Sequence, residues 1–187
     1  MLAEKLWLFV ALCALATWCE VKIDNAISSV YFFQVIRPDA LKYTYEIRLA
    51  RDFGVDFSGF YQSLPLIFAQ PSHSCSPLVN REEIEGSVVL VERGQCSFLT
   101  KALEAEKAGA LAIMISDIDK GDETPVEMVQ DETGREVHIP AVYLPGIHGR
   151  MFRKHFLYNS SPVLITIPLN LTHTTLDQIR KPPWEHW

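Results

Sequence analysis

Two apolar runs separated by a short amphipathic segment constrain the fold of this chain more than any other feature. Residues 87–92 (SVVLVE) have the length of a buried strand. Residues 98–108 repeat apolar side chains every three or four positions, and Gly109 stands where a helix commonly ends. A second apolar run follows at 110–116 (ALAIMIS). Because a strand, a helix and a strand joined this closely favour a right-handed crossover, residues 87–116 predict a pair of parallel strands.

The rest of the chain predicts further strands, and the fold class is therefore mixed α+β. Aromatic and β-branched residues are concentrated at 28–36 and 42–50, on either side of the turn signal Pro38-Asp39, which predicts an antiparallel pair. Residues 51–63 combine glycine with aromatics and predict a bulged strand or a loop. Short strands are also predicted at 64–69, 139–144 and 163–169, a helix at 147–158, and polar loops at 70–83 and 117–136.

The N-terminus has the pattern of an export signal. Lys5 provides positive charge, and residues 6–16 (LWLFVALCALA) are apolar but too few to span a bilayer unaided. Cleavage after Ala16 or after Cys19 fits the small residues there, and the second site leaves an even number of cysteines. We expect a signal peptide at residues 1–19, no membrane span in the mature chain, and secretion through the endoplasmic reticulum and Golgi. A membrane anchor is the alternative interpretation of the same residues.

In the oxidising secretory pathway the remaining cysteines can form a disulfide, and two sequons can carry glycans. Cys75 and Cys96 form an even pair after cleavage, which predicts a disulfide, and two free buried thiols are the alternative. Asn170 begins the sequon Asn-Leu-Thr and predicts a glycan on the surface. Asn159 begins a second, weaker sequon, because Pro162 directly follows it.

Residues 88–117 (VVLVERGQCSFLTKALEAEKAGALAIMISD) closely resemble the core signature of the protease-associated (PA) domain family. A second similar element is Ile139-Pro140-Ala141-Val142, which leads to Gly149. The resemblance implies a PA domain over residues 20–171, with a sandwich-like or open-barrel-like mixed sheet and flanking helices, followed by a C-terminal tail at 172–187. The positions that carry the first match are Arg93, Gly94, Cys96, Phe98, Lys101, Ala105, Ala108, Gly109, Ala110 and Asp117.

The resemblance also implies a function. In larger members of the family the PA domain accompanies a protease, a receptor or a ubiquitin ligase, where it guides substrates or mediates contacts. We therefore expect a non-catalytic module that binds an unidentified secretory or extracellular protein. A regulator of a secreted protease is the alternative within this family.

Motifs for catalysis or metal binding are absent from the sequence. It contains no Gly-x-Ser-x-Gly, His-Glu-x-x-His, Cys-x-x-Cys or Gly-x-x-x-x-Gly-Lys motif. We expect no catalytic residue, no metal and no cofactor, and the six scattered histidines are interpreted as structural or surface residues. The acidic run Asp117, Asp119, Asp122 and Glu123 superficially resembles a calcium loop but lacks EF-hand spacing, so a solvated loop is favoured. A calcium protein or a cryptic hydrolase stays a remote alternative.

Charge and aromatic residues limit the class of partner. The net charge is −6 and the 17 Lys and Arg residues are scattered, which disfavours nucleic acid. Arg93 and Lys101 predict either an anion site at a helix N-terminus or ion pairs with Glu92 or Glu104.

Trp184 and Trp187 in the tail are candidate partner-binding residues, with folding back onto the domain as the alternative. Further aromatic candidates are Tyr143, Phe53, Phe57, Phe60 and Tyr61.

Overall fold

The computed structural model describes residues 30–118, 126–159, 161–169, 171 and 179–185. Within these residues the chain forms a mixed α+β fold of seven strands and three α-helices. The strands are β1 (Val30–Arg37), β2 (Thr44–Leu49), β3 (Tyr61–Phe68), β4 (Val88–Glu92), β5 (Ala112–Ser116), β6 (Ala141–Leu144) and β7 (Val163–Leu169). The helices are α1 (Arg81–Ile84), α2 (Phe98–Lys107) and α3 (Gly146–Tyr158). In this part of the chain no helix combines the length and the apolar character needed to cross a membrane. The predicted signal peptide lies outside the described residues.

The strands close into a barrel in the order β1-β2-β6-β5-β4-β3-β7. Strands β3, β4, β5 and β6 pair in parallel, whereas β1, β2 and β7 make antiparallel pairs with their neighbours. The parallel pair predicted for residues 87–116 is confirmed, with Val88 opposite Ala112 and Glu92 opposite Ser116. The sheet is closed because β7 pairs with both β1 and β3.

Alternating side chains divide the core into two layers. Val88 and Leu90 of β4 face the barrel interior, while Val89 and Val91 face outward against α2. Helix α2 covers this outer face with Leu99, Ala102 and Ala105, which are all fully buried. The small alanines let the helix lie close to the sheet, as its apolar spacing predicts.

Helix α3 packs against one end of the barrel. The ring of Phe152 lies 5.2 Å from that of Tyr45 and 6.1 Å from that of Phe33 in the barrel interior. At Gly149 a side-chain carbon would overlap the Ser116 hydroxyl and lie 2.7 Å from Ser116 Cβ. The approach of α3 to the end of β5 therefore requires glycine at this position, which gives the second element of the family resemblance a packing role.

Two segments differ from the prediction in detail. Residues 51–60 lie outside helices and strands, but Tyr61 begins β3, which is bulged between Tyr61 and Leu64. The predicted loop 70–83 contains the start of α1, which is only four residues long. A helix of about one turn is too short to show the apolar periodicity by which helices are recognised in a sequence.

Candidate functional site

Charged side chains are gathered where the parallel strands end. Strands β3, β4, β5 and β6 run in the same direction, so the loops that follow them meet at one side of the barrel. In open parallel sheets this side is where ligands usually bind. We call these residues the carboxyl-edge cluster: Ser72, His73, Glu92, Arg93, Lys101, Asp117 and Arg153.

Glu92 is the last residue of β4, and its side chain is only 9% exposed. Ser72 Oγ donates to Glu92 Oε2 at 2.8 Å, and Arg153 Nε lies 3.2 Å from Oε1. His73 Nε2 lies 3.5 Å from the same carboxylate. In a serine hydrolase the imidazole stands between the hydroxyl and the carboxylate. Here the carboxylate stands between Ser72 and His73, so the arrangement does not activate the hydroxyl.

Arg93 and Asp117 form an ion pair across the ends of neighbouring strands. The distance from Arg93 Nη1 to Asp117 Oδ2 is 2.7 Å. The expectation that Arg93 pairs with Glu92 or Glu104 is wrong. Glu104 forms an ion pair with Lys107 at 2.7 Å, and the pairing of β4 with β5 brings Asp117 beside Arg93. This contact joins residues 24 positions apart, and the sequence alone does not indicate which carboxylate is near.

Asp117 begins the acidic run that resembles a calcium loop, but its carboxylate forms an ion pair with Arg93. The described residues contain no group of three or more His, Cys, Asp or Glu arranged to hold a metal ion. The other three acids of the run, Asp119, Asp122 and Glu123, lie outside the described residues.

The second half of the predicted polar loop is not fully solvated. Met128 within the loop and Val137 directly after it are buried in the apolar layer between the barrel and α2. Asp131 accepts hydrogen bonds from Ser97 and Arg135, and the bond from Ser97 is the largest cause that holds the Asp131 pKa below its usual range. Ser97 also caps α2 by accepting from the backbone N–H of Thr100 at 3.1 Å.

Lys101 is completely buried beneath the loops of the cluster. Its Nζ donates to the backbone oxygens of His73 and Gly94, both at 2.6 Å, and lies 3.5 Å from Cys75 Sγ. Burial lowers the Lys101 pKa to about 8, and the charge of Glu92 opposes this shift. The lysine therefore ties two loops together from inside, and its ammonium group makes neither of the predicted ion pairs among the described residues.

Cys75 and Cys96 form the predicted disulfide, with their Cα atoms 5.8 Å apart. The bond joins the loop after β3 to the turn before α2. Together with Lys101 it fixes the position of the loops at the carboxyl edge.

The C-terminal segment 179–185 folds back onto the barrel. The backbone N–H of Thr44 in β2 donates to Arg180 O at 2.8 Å. Trp184 is half-buried, and its ring meets that of Tyr43 edge-on at 5.5 Å. For Trp184 the structure matches the alternative of folding back, and its binding to a partner stays a prediction. Trp187 lies outside the described residues.

Trp184 and Glu185 enclose His148 of α3, which is 2% exposed. Trp184 Nε1 donates to His148 Nδ1 at 3.1 Å, and His148 Nε2 lies 2.9 Å from Glu185 Oε1. Because an indole N–H can only donate, Nδ1 carries no proton, and the neutral ring directs its Nε2–H at the carboxylate.

Two influences on the His148 pKa oppose each other. Burial lowers it to about 4, whereas the Glu185 carboxylate favours the charged ring. The indole donor on Nδ1 supports the neutral form. Both ring nitrogens are occupied, so this histidine has no free lone pair with which to act as a base. The contact spans 36 residues, which is why the sequence showed His148 only as one of several scattered histidines.

An apolar recess lies at the opposite end of β3 from the carboxyl edge. Its volume is about 760 Å³. Phe60 is 56% exposed and Val30 is 44% exposed. Of the other aromatic candidates, Tyr143 is buried and the rest are half-buried. The lining residues are Val30, Tyr31, Phe32, Phe60, Pro168, Leu169 and Leu171, none of which is charged.

The two sequons lie at different positions. Asn159 is exposed directly after α3. Asn170 lies outside the described residues, between Leu169 and Leu171 in the sequence. Glycosylation at either position stays a prediction.

Comparison with known proteins gives a consistent result. A family model described as the PA domain matches residues 62–151. A PRADC1-like protein of Drosophila melanogaster is 37% identical over 171 residues, which are 89% of this chain and 87% of that protein. Signal peptide peptidase-like 2 of Arabidopsis thaliana is 45% identical over 98 residues, or 52% of this chain but only 17% of that protein.

A solved structure shares the fold. An aminopeptidase from Aneurinibacillus sp. strain AM-1 superimposes with a TM-score of 0.51 at 16% identity. The match covers 77% of this chain and 31% of the aminopeptidase. At this identity the likeness concerns the fold alone.

Proposed function

This chain belongs to the PA domain family, and from that premise we propose that it is a non-catalytic, secreted glycoprotein that binds another secretory or extracellular protein. One observation carries the non-catalytic part. The carboxylates of the carboxyl-edge cluster are engaged within the domain: Glu92 with Ser72 and Arg153, and Asp117 with Arg93. A catalytic acid or base must instead reach a substrate proton.

The compartment is proposed from three features of the chain. The N-terminus has the charge and apolar length of an export signal. The Cys75–Cys96 disulfide is typical of an oxidising environment. The sequons at Asn170 and Asn159 have a use only where glycans are attached.

The apolar recess is the proposed contact surface. A charged side chain would lose hydration there without gaining a charged partner from the lining residues, which penalises its burial. The fitting occupant is an uncharged, apolar segment of the partner protein. Phe60 is the exposed aromatic residue at its rim, and aromatic residues commonly dominate the binding energy of such contacts.

The test compares proximity labelling by three forms of the secreted protein in conditioned medium. We expect that wild type and Val79→Glu label the same proteins, because Val79 is 78% exposed and does not line the recess. Phe60→Glu should no longer label these proteins. Equal labelling by Phe60→Glu and wild type would contradict binding at the recess.

Catalysis is tested separately on the purified protein with a mixture of peptides and with added zinc. We expect no cleavage by wild type. Cleavage that disappears in Glu92→Gln would overturn the non-catalytic assignment. Slower cleavage by an added secreted protease would instead indicate the alternative, a protease regulator.

A further inference from the structure

We infer that Cys75–Cys96 is an exchangeable disulfide, in which Cys75 is the leaving sulfur and Lys101 holds the thiolate that is released. This exchange chemistry is separate from the binding of a partner. It depends on three features of the described residues: the surroundings of Lys101, the backbone before each cysteine and the exposure of the bond.

The ammonium of Lys101 lacks a contacting carboxylate within the described part of the chain. Its contacts are two backbone oxygens, at 2.6 Å each, and Cys75 Sγ at 3.5 Å. The Glu92 carboxylate favours the charged lysine from beyond ion-pair distance, and a buried charge without a counter-ion in contact is unfavourable. A thiolate on Cys75 would supply that counter-ion at a distance already present in the oxidised protein. Lys101 therefore stabilises the thiolate of Cys75, and a better leaving thiolate leaves faster.

The backbone before each cysteine is strained. Ser74 has φ of 48° and Gln95 has φ of 67°, and both lie in the left-handed region that favours glycine. Such residues persist when surrounding contacts hold them, and they are common at functional sites. Opening the disulfide removes one of the constraints that hold these two turns, which favours the open form.

The bond is also reachable. Cys75 and Cys96 are half-buried, and their neighbours Gln95 and Ser76 are exposed. The pairing of β4 with β5 and the contacts of Leu99 beneath α2 do not pass through the disulfide, so the barrel keeps these interactions when the bond opens.

The reaction requires a thiol from outside, of the kind that glutathione or a dithiol oxidoreductase supplies in the secretory pathway. The external thiolate attacks Cys96 Sγ, a new sulfur–sulfur bond forms, and the electron pair of the old bond leaves on Cys75. Lys101 pairs with that thiolate. A second external thiolate then attacks the mixed disulfide and releases Cys96, so the external thiols are oxidised by two electrons and the protein is reduced by two.

The position of the first adduct tests the inference in the wild-type protein. The full-length secreted protein is mixed briefly with reduced glutathione, quenched with a maleimide and mapped by mass spectrometry. We expect glutathione on Cys96 and maleimide on Cys75. Glutathione on Cys75, or equal labelling of both residues, would overturn the assignment.

A pair of matched variants on α2 separates this role from a structural one. Lys101→Met should slow the reduction by glutathione at pH 7 by about tenfold, the effect of raising the leaving-group pKa by one to two units. Lys107→Met, on the same helix but exposed, should react like wild type. If Lys101 only stabilised the loops, its loss would loosen them and speed reduction, so unchanged or faster reduction overturns the inference.

The thiol pKa gives a measurement that does not require Lys101→Met to fold. In reduced wild type, the rate of alkylation of Cys75 by iodoacetamide is followed against pH. We expect its midpoint at least about one unit below the ordinary cysteine value of about 8.5. A midpoint at or above that value contradicts the role of Lys101.

Discussion

At Gly149 the absence of a side chain sets the distance between α3 and the end of β5. A Cβ there would lie 2.7 Å from Ser116 Cβ and 2.9 Å from Ile118 Cγ1. Both neighbours lie at the carboxyl edge, so the helix could not move away without disturbing the residues around Asp117. The position requires glycine for lack of space and not for its backbone conformation, because the φ of Gly149 lies outside the left-handed region.

We predict that Gly149→Ala lowers the free energy of unfolding by about 1–3 kcal/mol, the usual cost of overpacking. Thermal unfolding measures the change. Gly59→Ala is the matched control, since no atom lies within 4 Å of the added carbon and its unfolding temperature should stay the same or rise slightly. Equal effects of the two substitutions would contradict the packing role of Gly149.

His148 is the residue from which a pH dependence of stability is expected. Its pKa is lowered by burial to about 4 in the folded protein, against about 6.5 in an unfolded chain. Between these values the unfolded state binds the proton and the folded state does not. The contribution of the neutral, buried His148 to the free energy of unfolding is therefore fully present above pH 6.5. It is lost as the pH falls toward 4, by up to about 3 kcal/mol.

The measurement is the free energy of unfolding against pH for wild type, His148→Gln and His138→Gln. We predict that His148→Gln loses much of the slope between pH 6.5 and 4. His138 is 70% exposed, so its replacement should leave the slope as in wild type. Parallel curves for wild type and His148→Gln would show that burial of the neutral ring does not control this dependence.

At the scale of elements, two different coverings protect the outer face of the barrel. Helix α2 covers β4 and β5 with small apolar residues, and the segment 179–185 covers β2 near Thr44. The first covering is continuous in sequence with the strands that it protects. The second comes from the end of the chain and is held by Trp184 on Tyr43 and His148.

We predict that Trp184→Ala lowers the free energy of unfolding by about 2 kcal/mol, because a half-buried indole and its hydrogen bond are both lost. Trp184→Phe keeps a ring against Tyr43 and should lose about half as much. Chemical denaturation followed by circular dichroism measures both. If Trp184 instead serves a partner, Trp184→Ala should leave stability unchanged and reduce labelling of that partner.

Elements with a strong local pattern were predictable, and those defined by distant contacts were not. The unit at 87–116 formed as predicted because its apolar period and its Ser97 cap are local. Helix α1 was missed because about one turn shows no period. The ion pair of Arg93 was assigned to the wrong carboxylates, because strand pairing chose Asp117.

At the scale of the whole molecule, the carboxyl-edge cluster and the apolar recess lie at opposite ends of β3. In the carboxyl-edge cluster Arg93 pairs with Asp117, and the Cys75–Cys96 disulfide joins the adjacent loops. The recess around Phe60 is open and uncharged. In the sequence Asn170 lies between Leu169 and Leu171, and both of these residues line the recess.

We predict that Asn170→Gln, secreted from cells, migrates faster on a gel than the parent, because a glycan adds mass. Treatment with a glycosidase should bring the parent to the mobility of the variant. Asn159→Gln is the control for the weaker sequon and should change the mobility less than Asn170→Gln does. Equal mobility of parent and Asn170→Gln, with the parent insensitive to glycosidase, would refute glycosylation at Asn170.

The sequence by itself determined the parallel strand–helix–strand unit, the pairing of Cys75 with Cys96 and the family, because each depends on local spacing or on residue identity. The tertiary structure alone decided that the sheet closes through β7, that Lys101 lies buried against Cys75, and that Trp184 covers His148. The physical reason is distance along the chain. Strand register and chain reversal bring these groups together, and no pattern within a short window of residues records which distant partner will be near.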